Sequence, residues 1–172
     1  MKLSAFQIAA AVSLCLAFCL SAPASAAEPI TEKSFGCMHE GTKVKNTYIR
    51  HSDPAKLKEA VRIYETGAAD TDYPAGTVLQ LVPNEAMVKH AKKDFPKTNG
   101  WEFFAFEVSA AGTKIVGRGD TASNPLGTCL SCHQGAVKYD YVCDKTHGCP
   151  PVPITDAMIV AMQAKDARCT AK

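Results

Sequence analysis

The segment Cys129-Leu130-Ser131-Cys132-His133 constrains this 172-residue chain more than any other feature of its sequence. Two cysteines three positions apart, followed at once by a histidine, form a C-x-x-C-H motif, the covalent attachment site of c-type haem. Thiols at this spacing can bond to the two vinyl groups on one edge of the porphyrin, and the next imidazole can ligate the iron. The motif therefore predicts one covalent haem c on Cys129 and Cys132, with His133 as the proximal metal ligand.

Three other interpretations of the two cysteines stay open at this point. A redox-active pair needs a thioredoxin-like strand and helix, whereas a loop with proline and glycine precedes this motif. A zinc site needs further ligands, which Cys143, His147 and Cys149 can supply. A plain disulfide between Cys129 and Cys132 is the third alternative, although cysteines so close in sequence rarely form a good one.

The first 26 residues have the features of a secretory signal peptide. Lys2 gives a positive start, residues 8–20 are apolar, and Ala24-Ser25-Ala26 matches a cleavage site. The apolar stretch is short for a membrane span. We therefore expect a periplasmic protein without a membrane anchor after cleavage, in which residues 27–172 form one haem domain. Covalent attachment of c-type haem also takes place outside the cytoplasm, so the signal peptide and the haem motif both indicate an exported protein.

The remaining cysteines predict disulfides. Two of the eight cysteines lie in the signal peptide and two in the haem motif, which leaves four. An even number of cysteines in an oxidising compartment implies two disulfides, with three possible connectivities. Cys143 and Cys149 flank a short loop and are the favoured local pair. Cys37 is then left to pair with Cys169, which would join the two ends of the mature chain.

The charge and composition narrow the classes of function. A formal net charge of +2 leaves no basic patch for nucleic acid or for an anionic membrane surface. A hydrophobic fraction of 47% with 21% charged residues is that of a globular chain, not a disordered one. We therefore expect no nucleic-acid partner. The chain is also long enough to bury a hydrophobic core.

Two helices are predicted by capping residues and apolar spacing. Asp53 as N-cap, Pro54 at the first helical position and Gly67 at the C-terminal end delimit the clearer one. Leu57, Ala60, Val61 and Tyr64 form its apolar stripe. A second helix is predicted near the C-terminus, from Thr155 or slightly earlier to Ala167. Its inward-facing residues are predicted to be Met158, Ala161 and Met162.

Strand-like composition recurs between the two helices. The predicted strands are Lys43–Arg50, Thr77–Val82, Gly100–Val108 and its hairpin partner Thr113–Gly117. Residues 84–95 fit either a helix or a strand, and Ser123–Thr128 is predicted to be a loop. Together these patterns predict a single α+β domain with an antiparallel β-sheet, an N-terminal helix and a C-terminal helix.

With the haem motif so close to its C-terminus, the chain resembles the cytochrome P-460 and cytochrome c-prime-beta family. The segments that carry the resemblance, besides the motif itself, are Asp53-Pro54, Pro74–Val78, Met87–His90, Phe95–Phe103 and Lys138–Val142. The resemblance implies a sheet-rich homodimer and a five-coordinate haem with an open distal side. It also implies binding of nitric oxide or related nitrogen ligands, and a strand at residues 84–90.

The resemblance also supplies candidates for the distal side of the haem. The hydroxylamine-oxidising members join a lysine to the porphyrin and use a distal carboxylate as proton acceptor. Leu81 stands at the position of that lysine, and Glu85 is the candidate for the catalytic carboxylate, with an exposed turn residue as the alternative interpretation. The other branch has an apolar pocket, for which Leu79, Leu81, Phe103 and Phe104 are candidates. Strand alternation sends the two phenylalanines to opposite faces, so one of them belongs to the core.

Three functions are therefore open. The leading hypothesis is a periplasmic haem protein that senses or scavenges nitric oxide. The second is an enzyme that oxidises hydroxylamine or reduces a nitrogen oxide. The third is an electron carrier with Met158 or Met162 as the sixth iron ligand, although packing in the core is the favoured role of both methionines. The sequence identifies no redox partner protein.

Overall fold

The computed structural model describes residues 29–148, 150–151 and 153–169. The predicted signal peptide, residues 1–26, lies outside the described residues, and so does Cys149. No helix within the described ranges has both the length and the apolar character needed to cross a bilayer.

A six-stranded antiparallel sheet forms the centre of the fold. Its strands lie side by side in chain order. They are β1 (Thr42–Val44), β2 (Thr47–Arg50), β3 (Val78–Gln80), β4 (Glu85–Lys89), β5 (Trp101–Ser109) and β6 (Gly112–Arg118). A separate two-stranded hairpin consists of β7 (Ser123–Asn124) and β8 (Gly127–Thr128), so the segment predicted as a loop is a hairpin.

Within the described residues, three α-helices accompany the sheet: α1 (Pro54–Thr66), α2 (Cys129–His133) and α3 (Asp156–Gln163). Short 3-10 segments lie at Glu32–Ser34, Met38–Glu40, Pro96–Thr98, Gly119–Thr121, Gln134–Tyr139 and Ala167–Cys169. The predicted α+β single-domain class with one antiparallel sheet is confirmed. The stretch at residues 84–90, ambiguous from its own residues, is the strand β4, as the family resemblance implied.

Helix α1 forms as its capping residues predict. The Asp53 carboxylate accepts hydrogen bonds from the backbone N–H groups of Ala55 and Lys56, and Gly67 ends the helix in the left-handed conformation at φ +58°. Glycine adopts this conformation without the steric cost that a Cβ brings. Ala60 and Tyr64 of the predicted stripe are buried.

Two predicted strands have other boundaries. The segment predicted as one strand over Lys43–Arg50 is the β1–β2 hairpin, because the chain reverses at Lys45, which has a φ of +53°. The strand predicted over Thr77–Val82 is limited to three residues, since the chain bends at Leu81.

The sheet separates two clusters of buried side chains. The first, on what we call the motif face, contains Leu79, Met87, Trp101 and Phe103 together with Cys129. The second, on the opposite face, contains Phe35, Ala86, Val88, Phe104 and Phe106. Alternation along β5 produces this division, because successive side chains of a strand point to opposite faces. The expectation that one of Phe103 and Phe104 belongs to the core away from the motif is met by Phe104.

A disulfide joins Cys37 to Cys169, which confirms the pairing predicted for the two cysteines nearest the ends of the mature chain. Near this disulfide, Asp166 and Arg168 form a buried ion pair, with 2.8 Å between Asp166 Oδ1 and Arg168 Nε, and Arg168 donates to the Phe35 carbonyl. The Asp166 carboxylate also accepts the Met38 N–H at 3.0 Å. Cys143 is disulfide-bonded as well, and its predicted partner is outside the described residues.

Helix α3 presents a different face to the core from the one predicted. Met158 is 49% exposed, Ala161 is exposed and Met162 is half-buried, whereas Ile159 and Gln163 are buried. The Gln163 amide donates hydrogen bonds to two backbone carbonyls, one in the β1–β2 turn and one just after β3. These polar contacts fix the rotation of a helix that is apolar on several sides. The prediction of an inward-facing side chain was therefore wrong for Met158 and Ala161, and Met162 faces inward only in part.

Candidate functional site

Helix α2 carries the C-x-x-C-H motif. Thr128 is its N-cap, and the hydroxyl oxygen of this residue accepts a hydrogen bond from the Ser131 N–H at 3.3 Å. The Cys129 N–H donates to the Ala122 carbonyl at 3.0 Å, which ties the start of the helix to the segment after β6. Residues three apart on a helix lie on the same side. The local sequence thus brings Cys129 and Cys132 to one side of a single helical turn.

Both cysteines of the motif are free thiols. Cys129 is 8% exposed, and burial, with a smaller contribution from the negative charge of Glu85, raises the pKa of its thiol to about 11. A disulfide between Cys129 and Cys132 is therefore absent from the structure. A redox-active pair requires a lowered thiol pKa, so the environment of Cys129 also opposes that alternative. The disulfide at Cys143 removes one of the ligands that the zinc alternative needed.

The His133 imidazole is oriented by one hydrogen bond. Its Nδ1 lies 2.7 Å from the Tyr141 carbonyl oxygen. Since a carbonyl can only accept, Nδ1 carries the proton, and Nε2 keeps the lone pair with which an imidazole binds a metal. Burial lowers the pKa of His133, against the opposing effects of the Tyr141 hydrogen bond and the Glu85 charge, so the ring is neutral at neutral pH. The Phe103 ring lies 5.0 Å from it, centroid to centroid.

The carbonyl that receives this hydrogen bond belongs to an unusual turn. Asp140 and Tyr141 both have positive φ angles, 52° and 61°. Each residue other than glycine in this region costs roughly 1–3 kcal/mol, and such strain persists only where the surroundings enforce it. Backbone hydrogen bonds to Ala136 and Tyr139 close the turn. The Tyr141 hydroxyl donates to the Lys97 carbonyl at 2.8 Å, and the side chain of Asp140 supplies further contacts.

Asp140 forms a buried ion pair with Lys89. The Lys89 Nζ lies 2.7 Å from Asp140 Oδ1 and 2.6 Å from Oδ2, and Lys89 is only 3% exposed. The carboxylate also accepts the Tyr73 N–H at 2.8 Å and the Asn99 side-chain amide at 2.6 Å. Burial lowers the pKa of Lys89, and the hydrogen bond and charge of Asp140 partly offset the effect.

Glu85 is the first residue of β4 rather than part of an exposed turn. Its carboxylate accepts a hydrogen bond from the Asn124 side chain, with 2.7 Å between Nδ2 and Oε1. Glu85 is half-buried, and its charge affects the pKa values of both Cys129 and His133. The structure therefore brings one carboxylate into the electrostatic neighbourhood of the motif.

The sequence model of the family described as Cytochrome P460 matches residues 58–144, just over half of the chain. The chain belongs to the cytochrome P460 family. The matched segment contains the whole C-x-x-C-H motif, Glu85, Lys89 and Asp140. Membership of the cytochrome P460 family implies a haem cofactor. No match was found among curated proteins or among solved structures.

The residues of this cytochrome P460 chain fit a haem c chemically. Two free thiols lie on one helical turn. The adjacent imidazole is neutral and oriented through Nδ1, and its Nε2 has no hydrogen-bond partner among the described residues. Cys129 and Cys132 would hold the porphyrin edge, and His133 would ligate the iron. Apolar side chains of the motif face, with Phe103 against His133, supply the low-polarity surroundings that a haem requires.

The four pocket candidates have three different locations. Leu79 and Phe103 are buried in the motif-face cluster, where the strand register places Met87 between them. Phe104 packs against Phe35 and Phe106 on the opposite face, so its prediction as a pocket residue was wrong. Leu81 is 43% exposed just beyond the end of β3 and lies outside the buried cluster.

Sequence reasoning missed the groups that support the motif in the cytochrome P460 chain. Lys89 and Asp140 are 51 positions apart, and nothing in either local sequence indicates that they pair. Both lie in segments that carried the family resemblance, which was the one available signal. Asn124, which holds Glu85, gave no sequence signal.

Proposed function

We propose that this chain is an exported, periplasmic mono-haem cytochrome c whose distal side is open to nitric oxide or a related small nitrogen ligand. Cys129 and Cys132 carry the haem as thioethers, and His133 is the proximal iron ligand. The observation that carries the proposal is the His133 imidazole, hydrogen-bonded through Nδ1 to a carbonyl so that Nε2 keeps its lone pair, beside two free thiols. The disulfide between Cys37 and Cys169 supports an oxidising compartment.

The character of the motif face favours a neutral ligand. Leu79, Met87 and Phe103 lie in one row across three strands and share a buried cluster with Cys129. Desolvation penalises charged ligands in such surroundings, whereas a neutral diatomic such as nitric oxide binds ferrous iron without that cost. At the candidate position for the porphyrin-linked lysine of the hydroxylamine-oxidising members, this chain has Leu81. The resemblance to the family further supports a homodimer.

Optical and EPR spectra of the ferric and ferrous protein, with and without nitric oxide, test the proposal. We expect a five-coordinate high-spin haem whose ferrous spectrum changes when stoichiometric nitric oxide is added. A six-coordinate low-spin spectrum that nitric oxide leaves unchanged would contradict the proposal. A near-infrared methionine-to-iron band that disappears in Met158→Ala or Met162→Ala would instead support the electron-carrier hypothesis.

Glu85 favours one second candidate, the oxidation of hydroxylamine. A carboxylate held by Asn124 near the motif is suited to accept a proton from a nitrogen substrate. If the protein turns over hydroxylamine with an external electron-accepting dye, we expect Glu85→Gln to lower kcat by about 100-fold, in the usual range for loss of a general base.

The matched control for this test is Glu107→Gln. Glu107 is an exposed glutamate of β5 whose carboxylate contacts Lys114 at 3.0 Å, so its replacement is expected to leave turnover unchanged. Wild-type turnover in Glu85→Gln would exclude Glu85 from the mechanism. The spectra of both variants report whether the haem environment is retained.

A further inference from the structure

A continuous series of contacts leads from a buried ion pair to the ring of His133. Lys89 on β4 binds both carboxylate oxygens of Asp140. The next residue, Tyr141, presents its carbonyl to Nδ1 of His133 at 2.7 Å. The ion pair is thus one residue away from the group that orients the imidazole.

The turn between them depends on the Asp140 carboxylate. Its two oxygens accept hydrogen bonds from the Lys89 ammonium, the Tyr73 backbone N–H and the Asn99 amide, which tie β4 and two loops to this one side chain. Two successive residues with positive φ do not hold this conformation by local preference. Together with the backbone hydrogen bonds of the turn, the buried contacts of Asp140 keep the Tyr141 carbonyl pointing at the imidazole.

We propose that Lys89 and Asp140 are positioning residues for the proximal histidine, which set the strength of the His133–Tyr141 hydrogen bond and thereby the electron donation of the imidazole to iron. The inference rests on the proposed function in one respect, that His133 is the iron ligand. A stronger hydrogen bond at Nδ1 makes the imidazole a better donor and favours ferric iron. Loss of the ion pair loosens the turn, weakens this bond and favours ferrous iron.

The reduction potential of the holoprotein tests the proposal through two variants of opposite charge. Asp140→Asn removes a negative charge and Lys89→Met removes a positive one. We expect both to raise the ferrous-to-ferric ratio at fixed potential by about tenfold, or ~59 mV for a one-electron couple. We also expect both to lower the iron–histidine stretching frequency in resonance Raman spectra. If Lys89→Met does not fold, Lys89→Gln, which retains a hydrogen-bond donor, replaces it.

A direct charge effect would move the potentials of the two variants in opposite directions, and that result would overturn the proposal. The matched control is Asp166→Asn, which breaks the other buried ion pair. Asp166 also accepts several hydrogen bonds, but its partner Arg168 donates to the carbonyl of Phe35 in the opposite-face cluster. We expect this variant to lose stability while its potential and stretching frequency stay at wild-type values.

Two further outcomes separate the possible failures. If Asp140→Asn loses stability but keeps the wild-type potential and stretching frequency, the ion pair is only structural and the proposal is wrong. If the wild-type ferrous protein is five-coordinate and high-spin but has no iron–histidine band, the assignment of His133 as ligand fails instead. The second result is visible before any variant is made.

Discussion

Replacement of both Cys129 and Cys132 by serine is expected to abolish covalent attachment of haem. A thioether requires a sulfur nucleophile, and the structure has both thiols free on one turn of α2. Serine is close to cysteine in size, and the burial of Cys129 is a small part of the motif-face cluster. The sheet is therefore expected to remain folded. Acid–acetone extraction should release all haem from the variant and almost none from the wild type, and the pyridine haemochrome spectrum should shift accordingly.

The control for this prediction is the double variant Cys37→Ser/Cys169→Ser. It removes the same number of sulfur atoms but leaves the motif intact, so its haem is expected to resist extraction. Haem that stays on the Cys129→Ser/Cys132→Ser protein after extraction would show that the attachment lies elsewhere.

The same Cys37→Ser/Cys169→Ser variant is expected to lose about 5 kcal/mol in free energy of unfolding, the chain-entropy value for so large a loop. The disulfide joins residues 132 positions apart, so it restricts almost the whole unfolded domain. Domains of this size have a total stability of roughly 5–15 kcal/mol, which makes this loss a large fraction. Urea unfolding followed by circular dichroism measures it, on holoprotein of equal haem content.

Native contacts around this disulfide hold the two ends of the chain even without the crosslink, so the measured loss of stability reports the crosslink itself. The Met38 N–H bond to Asp166 and the Arg168 bond to the Phe35 carbonyl hold the same ends of the chain without the sulfur atoms. The folded structure of the variant is therefore expected to persist in mild conditions. A change below about 1 kcal/mol would contradict the chain-entropy account for this loop.

Structural features that depend on residues close together in the chain were predicted correctly from the sequence. Helix α1 has its N-cap, its proline and its terminal glycine at the expected positions, since capping depends on neighbouring residues. The two faces of β5 follow from alternation alone, which separated Phe103 from Phe104 even though it did not say which one faces the motif. The family match agrees with the resemblance stated from short motifs.

Features that depend on distant partners were not predicted. The buried face of α3 is chosen by Gln163, which donates to backbone groups about 80 and 117 positions away, while its apolar residues fit several rotations. The β1–β2 hairpin turns at Lys45 without a glycine, so the usual turn signal is missing. Lys89 is buried because its ammonium pairs with Asp140, donates to the Asn99 carbonyl and lies over the Trp101 ring, whereas a lysine is otherwise expected at the surface.

The burial of Cys129 has a consequence for the order of events in maturation. In the folded chain this thiol is packed in the motif-face cluster, and its raised pKa leaves almost none of the reactive thiolate. The proposed thioether at Cys129 therefore has to form before the sheet closes over it. The two disulfides are expected to form after attachment, because an earlier bond between a motif cysteine and one of the structural cysteines would occupy a thiol that the haem needs. The order of maturation is therefore attachment of haem first, with formation of the disulfides and closure of the fold after it.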